Sequence, residues 1–181
     1  MLIDESGFQL QPLVRRTWAP QGATPVMRNW DRHDRVTALA ALCWTPINCR
    51  VQLHFQLLNH NATAEDFVEF LQMLHQQLQR KLIIVWDRLG AHRKAARAFR
   101  TLKIPWAKFE WLPPYCPELN PVEHVWSTTK WGRLCNWPAE DIYDLAGGVH
   151  EDFDAQAASE DLLRSHFRSA GLVLNCLRRR Q

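Results

Sequence analysis

The sequence lacks the common signatures of nucleotide, zinc and membrane sites. Its seven glycines form neither GxGxxG nor GxxxxGK, which argues against a cofactor bound by a glycine-rich loop. Its five cysteines include no CxxC pair, so neither a structural zinc site nor a disulfide framework is indicated, and we expect reduced, mostly buried thiols. No run approaches eighteen apolar residues, and no charged-then-apolar leader is present. We therefore expect a cytoplasmic protein with no membrane contact.

The charge is distributed unevenly along the chain. At 181 residues, 46% of them hydrophobic, the chain suits one domain, with or without a small extension, and its net charge is only +3. Residues 80–108 nevertheless carry nine Lys or Arg and a single acid, whereas residues 138–161 carry eight acids and no Lys or Arg. Residues 162–181 hold five arginines and no acid. The first basic block predicts a polyanionic partner, and a solvated helix face is the alternative.

The first third of the chain has the pattern of β-strands. Strands are predicted at residues 1–10, 35–44 and 48–58, the last with Val51, Leu53, Phe55 and Leu57 alternating on one face. Residues 15–27 carry the Pro and Gly punctuation of a turn between two short strands. An antiparallel three-strand start follows from this pattern.

Helices and strands alternate over residues 63–112. Thr63 and Asp66 have the spacing of a helix cap, ahead of an apolar stripe formed by Phe67, Phe70, Leu71, Leu74 and Leu78. The apolar run Leu82 to Trp86 predicts a strand buried on both faces. A helix over about 91–102 and a strand from Trp106 to Leu112 are predicted next.

The last third of the chain is predicted to be helical. Asn120 and Pro121 look like the N-cap and first position of a helix with Val122, Val125, Trp126 and Thr129 on one face. Two more helices are predicted at about 139–157, interrupted at Gly147-Gly148, and at 160–178, capped by Ser159.

The element order β-β-β-α-β-α-β-α is that of the ribonuclease H-like fold. This is an α/β fold of the integrase type, with a mixed five-strand sheet flanked by helices. We expect residues 1–137 to form this domain and residues 138–181 to form a C-terminal helical extension packed on it.

Three acids stand at positions suited to a shared site. Asp87 follows the buried strand, where open α/β sheets place their ligands; Asp4 lies in the first strand and Glu123 in the first turn of a helix. Glu5 is the alternative to Asp4, and strand alternation sends the two to opposite faces. Capping is the alternative for Asp87, and for Glu123, which can reach back to the N-cap amide.

Carboxylates in this number suit divalent metal ions. Hard cations such as Mg²⁺ bind carboxylate oxygens, and two ions about 4 Å apart assist phosphodiester cleavage. In this hypothesis Asp4 bridges two Mg²⁺ ions, which Mn²⁺ can replace, and Asp87 and Glu123 complete one shell each.

Three segments resemble the signature blocks of DDE transposases: IDESGF, IIVWDRLGAH and LPPYCPELNPVEHVW. They are most similar to the mariner/Tc-type superfamily in its bacterial insertion-sequence branch, and 35 residues lie between Asp87 and Glu123, as in that group. The resemblance covers about residues 1–135. It implies a metal-dependent catalytic domain for cut-and-paste DNA transposition, with Asp4, Asp87 and Glu123 as the metal-binding triad.

The resemblance also implies partners. Double-stranded DNA, as transposon end and as target, is the expected substrate, and a homodimer is left open. Transposases of this kind carry helix-turn-helix domains ahead of the catalytic core, whereas Met1 lies three residues before Asp4. We expect end recognition to come from an upstream reading frame or a partner polypeptide, unless the chain is a truncated remnant.

Six basic side chains are candidates for binding DNA: Arg88, His92, Arg93, Arg97, Arg100 and Lys130. His92 matches a histidine common in the second block, and is expected either to contact the scissile phosphate or water, or to make a local hydrogen bond. Arg88 stands where the family usually has Asn, and either grips phosphate or pairs with Asp87. The tail Arg178 to Arg180 is expected to be frayed or to touch DNA.

Two rival functions share some of these features. Another ribonuclease H-like nuclease, such as a Holliday-junction resolvase or a ribonuclease H, would use the same fold and metal. A non-catalytic DNA-binding remnant would keep only the basic surface. A serine hydrolase built on Ser6 has little support, because no GxSxG is present.

Overall fold

The computed structural model describes residues 1–27 and 34–176. Across these two ranges, no helix has both the length and the apolar character needed to cross a bilayer. The predicted tail Arg178 to Arg180 lies outside the described residues.

Five strands form one mixed sheet. In chain order they are β1 (Leu2–Gln9), β2 (Arg35–Thr45), β3 (Arg50–Leu58), β4 (Leu82–Trp86) and β5 (Ala107–Trp111). Their spatial order is β3-β2-β1-β4-β5. The first three strands pair antiparallel, and β4 pairs parallel with both β1 and β5. The predicted five-strand sheet and its antiparallel start are confirmed.

Helices cover both faces of this sheet. They are α1 (Ala64–Leu78), α2 (Gly90–Thr101), α3 (Val122–Thr128), α4 (Ile142–Ala157) and α5 (Glu160–Ser169). The apolar side chains of α1 and α2 pack with β4 on one face, and those of α3, α4 and α5 pack with β2 and β3 on the other. The helices α4 and α5 share one apolar cluster with α3. The division predicted at residue 137 stays a prediction.

The predicted cap of α1 is present. The Thr63 hydroxyl accepts a hydrogen bond from the Asp66 amide, and the Thr63 amide donates to Asp66 Oδ2 at 2.7 Å. Both halves of the capping arrangement therefore form, which fixes where the chain turns from β3 into α1.

Residues 15–27 contain a turn and no strand and lie between β1 and β2, which agrees with the predicted turn. Two predictions about regular structure are wrong. The strand β4 is not buried on both faces. On the second face α3, α4 and α5 lie against β1, β2 and β3, and this leaves Ile83 exposed. The final helix stops at Ser169, since Gly171 adopts a left-handed φ of 72°.

Gly147 and Gly148 do not interrupt α4, which runs through both. A Cβ at Gly147 would have no neighbour within 4 Å, whereas a Cβ at Gly148 would lie 2.6 Å from the ring of Trp137. Gly148 therefore permits Trp137 to lie against the helix.

This contrast predicts opposite effects of alanine at the two glycines. Gly147→Ala should stabilise the protein by about 1 kcal/mol through helix propensity, whereas Gly148→Ala should destabilise it by about 1–3 kcal/mol through overpacking against Trp137. Urea unfolding of both variants measures this. Equal effects at the two positions would show that Trp137 moves aside freely.

The cysteine prediction is wrong in two respects. The structure joins Cys49 to Cys176, with Cα atoms 5.3 Å apart, a spacing suited to a disulfide. The chain leaving α5 passes the β2–β3 turn, where Arg164 donates a hydrogen bond to the Cys49 carbonyl. Of the free cysteines in the described ranges, only Cys43 is buried.

Candidate active-site cleft

The three predicted acids line one cleft. A cavity of about 420 Å³ at the carboxyl end of β4 is lined by Asp4, Asp87 and Glu123, with the loop 112–117 forming a wall. Leu2 pairs with Val85 in the parallel register of β1 and β4, so Asp4 and Asp87 are level, two residues further along. A larger cavity of about 650 Å³ at the other end of these strands has no carboxylate among the described residues that line it.

Asp4 is held by a tryptophan. Its carboxylate is buried, and Trp126 Nε1 donates a hydrogen bond to Oδ2 at 3.1 Å. Burial raises the pKa of Asp4 to about 7, helped by the charges of Glu5 and Glu123 and opposed by the Trp126 hydrogen bond. Because burial and like charges disfavour its ionised form, the Asp4 carboxylate would be stabilised by a positively charged group nearby.

Asp87 is held through one oxygen. Its Oδ1 accepts hydrogen bonds from the Leu89 amide at 2.9 Å and from His92 Nδ1 at 2.5 Å. The hydrogen bond with His92 lowers the pKa of Asp87 from its usual range, against the effect of burial. The side chain is 54% exposed and faces the same cleft as Asp4.

Glu123 stands in the first turn of α3. The helix begins at Val122, one residue later than predicted, and the Asn120 side chain accepts a hydrogen bond from the Val122 amide. No protein donor among the described residues bonds the Glu123 carboxylate, so it does not act as a capping glutamate. Burial raises its pKa, with Lys130 and His124 opposing and Asp87 and Glu5 adding.

The donor set suits a divalent cation in chemistry and in charge. The cleft offers only carboxylate oxygens from its three acids, and two of them, Asp4 and Glu123, have raised pKa values because they are buried near like charges. No three His, Cys, Asp or Glu side chains in the described part of the chain already stand as a ready-made metal cluster.

Five of the six basic candidates lie at three places in the structure. Arg88 lines the cleft itself, whereas Arg93, Arg97 and Arg100 are exposed along α2. Lys130 lies on the π-helical turn Thr129–Arg133 that follows α3.

Lys130 lies beside the acids. Its amino group donates to Ser6 Oγ at 2.7 Å and lies 5.2 Å from the centre of the Phe8 ring. Burial lowers the pKa of Lys130, and the carboxylates of Glu123 and Asp4 oppose that shift. The lysine thus supplies positive charge close to two acids.

The side chain of His92 is 0% exposed. Its contact with the scissile phosphate or with water stays a prediction. Burial lowers the pKa of His92, but its contacts with Asp87 and Glu5 outweigh that effect and raise it to about 9. The local hydrogen bond foreseen as the alternative is present.

Two contacts of the site were not predicted. Alternation along β1 does place Asp4 and Glu5 on opposite faces, but no sequence signal indicated that Glu5 meets His92. Trp126 was expected only on the buried face of α3. Its spacing of three residues from Glu123 could have indicated a side chain near the site, since residues three apart are neighbours on a helix.

A mixed sheet ordered β3-β2-β1-β4-β5, with acids on the middle strand, after its parallel neighbour and on a following helix, defines a ribonuclease H-like nuclease architecture. The family model described as DDE superfamily endonuclease matches residues 1–143, and the chain belongs to that family. The family resemblance and the fold class predicted from the sequence are thereby confirmed. No curated protein sequence matches the chain.

Solved structures of Mos1 transposase share the fold. The paired-end complex with left transposon end matches with a TM-score of 0.67 and 16% identity, covering 93% of this chain and 51% of that one. The Mos1 mariner paired end complex with Mn gives 0.62 and 18%, covering 94% and 51%. The Mos1 catalytic domain alone gives 0.54 and 16%, covering 94% and 75%. This chain therefore spans about half the length of the Mos1 chains in the complexes, and at these identities the likeness concerns the fold.

Proposed function

We propose that this chain is the catalytic domain of a cut-and-paste DNA transposase. The single observation that carries the proposal is the convergence of Asp4, Asp87 and Glu123, from three separate elements, on one cleft. Family membership gives the endonuclease class, and the proposal adds the reaction: strand cleavage at a transposon end, followed by attack of the freed 3′-hydroxyl on target DNA.

Asp4, Asp87 and Glu123 are proposed to hold two Mg²⁺ ions, with Mn²⁺ as a substitute. When bound, such ions activate the attacking oxygen and offset charge on the leaving oxygen. The Mos1 structures described with Mn support this choice of metal.

The protein's own groups prepare the cleft for a phosphodiester. Trp126 orients Asp4 from α3, and His92 and the Leu89 amide orient Asp87. Lys130, fixed by Ser6, adds a positive charge near Asp4 and Glu123, which favours an anionic substrate there.

The DNA duplex is proposed to approach over α2. Arg88 lies at the cleft, and Arg93, Arg97 and Arg100 continue the positive charge along the exposed face of α2, which begins soon after Asp87. Contacts of this kind bind phosphates without reading sequence. Helix-turn-helix modules are proposed to supply end recognition; a homodimer stays a prediction.

Metal-dependent cleavage of duplex DNA tests the proposed function. Wild-type protein should nick supercoiled plasmid in Mg²⁺ or Mn²⁺ but not in EDTA, and Asp87→Asn should not nick. An RNA–DNA hybrid and a four-way junction should be cut no faster than the duplex. Preference for either would identify a ribonuclease H or a resolvase instead, and no cleavage by wild type would identify a binding remnant.

The arginines of α2 predict a change in salt dependence. Replacing Arg93, Arg97 and Arg100 together with alanine should weaken duplex binding and lower the slope of log K against log salt by about 2–3, since each phosphate contact contributes about 0.9. Fluorescence anisotropy over a salt series measures the slope. The control is Arg168→Ala, which removes an exposed arginine from α5. If the triple variant has the same salt slope as the wild type, the arginines of α2 do not contact DNA and form only a solvated face.

A further inference from the structure

A buried imidazole lies between two carboxylates beside the cleft. His92 Nδ1 is 2.5 Å from Asp87 Oδ1, and His92 Nε2 is 3.1 Å from Glu5 Oε2. The second contact is close but lies outside hydrogen-bond geometry. Glu5 itself is only 20% exposed and, unlike Asp4, does not line the cleft.

Aromatic rings hold the plane of His92. The ring of Trp86 stacks on it at 4.7 Å between centroids and 11° between planes, and the ring of Phe67 packs edge-on at 4.5 Å. This packing fixes the plane of the imidazole but does not choose between its two flipped orientations, because both have the same shape.

The two carboxylates make that choice. In the observed orientation each ring nitrogen faces an oxygen, whereas a flip about the ring axis would place carbon atoms against Asp87 and Glu5. Glu5 therefore favours the orientation in which Nδ1 meets Asp87. Since both hydrogen bonds to Asp87 use Oδ1, its Oδ2 has no protein partner among the described residues.

We propose that Glu5, acting through His92, is a positioning residue that fixes the carboxylate of Asp87 and so sets the affinity of the cleft for a divalent cation. Glu5 holds the imidazole, the imidazole holds Oδ1, and Oδ2 stays available to a cation. The inference rests on the proposed function, in which Asp87 is a metal ligand. Replacing a residue that hydrogen-bonds to a metal ligand and orients it commonly lowers the affinity for the metal.

Manganese binding tests the positioning role. Glu5→Gln keeps the shape of the side chain, so the protein should fold, and its Kd for Mn²⁺, measured from free Mn²⁺ by electron paramagnetic resonance, should rise about tenfold. The Mn²⁺ concentration for half-maximal plasmid nicking should rise in parallel, with the maximum rate regained at saturation. Glu118→Gln, which changes an exposed acid in the turn just before α3, should change neither. A lost maximum rate that Mn²⁺ does not restore would overturn the positioning role, because Glu5 would then act on more than the affinity for the cation.

A double-mutant cycle tests the route through His92. If Glu5 acts through the imidazole, Glu5→Gln should have no further effect on the Mn²⁺ Kd in a His92→Gln background. Additive effects would overturn the proposal.

A metal-free measurement separates this inference from the proposed function. The proton shared by His92 and Asp87 should give a low-field NMR signal in EDTA, which is lost in Asp87→Asn and shifted in Glu5→Gln. If the two variants show these changes but the wild-type protein neither binds Mn²⁺ nor nicks DNA, the proposed function fails while the positioning contact stands. An unshifted signal in Glu5→Gln refutes the contact whatever the activity.

Discussion

Replacing Asp4, Asp87 or Glu123 with the matching amide should lower DNA strand cleavage about 10³-fold or more, because metal assistance contributes several kcal/mol and each 1.36 kcal/mol is a factor of ten. An amide keeps the size of the side chain but removes the charge that is proposed to hold a cation. Single-turnover cleavage in Mg²⁺ measures the loss, and circular dichroism checks that each variant is folded.

Glu118→Gln is the matched control for these three variants. It makes the same chemical change at an exposed site outside the cleft lining, and it should cleave like wild type. If one of the three amide variants also cleaves at the wild-type rate, that residue is not part of the metal site.

Asp4→Asn should stabilise the metal-free protein at pH 8. The pKa of Asp4 is about 7 in the folded protein and about 3.9 in an unfolded chain. The folded state therefore holds a proton that the unfolded state has lost between these two values, and wild-type stability falls as the pH rises through that window. Above pH 7 the whole cost is present, at most about 4 kcal/mol at 1.36 kcal/mol per pKa unit.

The pH profile provides the control for this prediction. Denaturant unfolding in EDTA should show a gain for Asp4→Asn at pH 8 that shrinks as the pH approaches 4, where both states of the wild type are protonated. Added Mg²⁺ should stabilise wild type more than the variant, since a ligand that binds only the folded state stabilises it. A gain that is constant from pH 4 to 8 would mean that the effect is one of packing.

Local patterns predicted much of the fold. The alternation of apolar residues predicted which face of β3 is buried, and the spacing of Thr63 and Asp66 predicted the cap of α1. Both signals depend only on residues close together in the chain. The exposure of Ile83 was not predictable in this way. It depends on where α3, α4 and α5 lie on the sheet, and an apolar run alone does not contain that information.

The candidate site shows the same division. The three acids could be chosen from their positions at a strand, a strand end and a helix start. The role of His92 could not, because its burial arises from packing between Trp86 and Phe67, and its second partner, Glu5, is 87 positions earlier in the sequence. Contacts across such separations need the folded sheet.

The strand β1 lies in the middle of the sheet, bonded to β2 on one side and β4 on the other. Trimming Leu2–Gln9 would therefore leave two separate strand pairs, and isolated pairs are marginal in water. The Met1 nitrogen donates a hydrogen bond to the Ile83 carbonyl at 2.9 Å, so an affinity tag joined ahead of β1 would lie beside this contact. Expression vectors for this domain should thus place the tag after the last helix, or separate it from Met1 by a cleavable spacer.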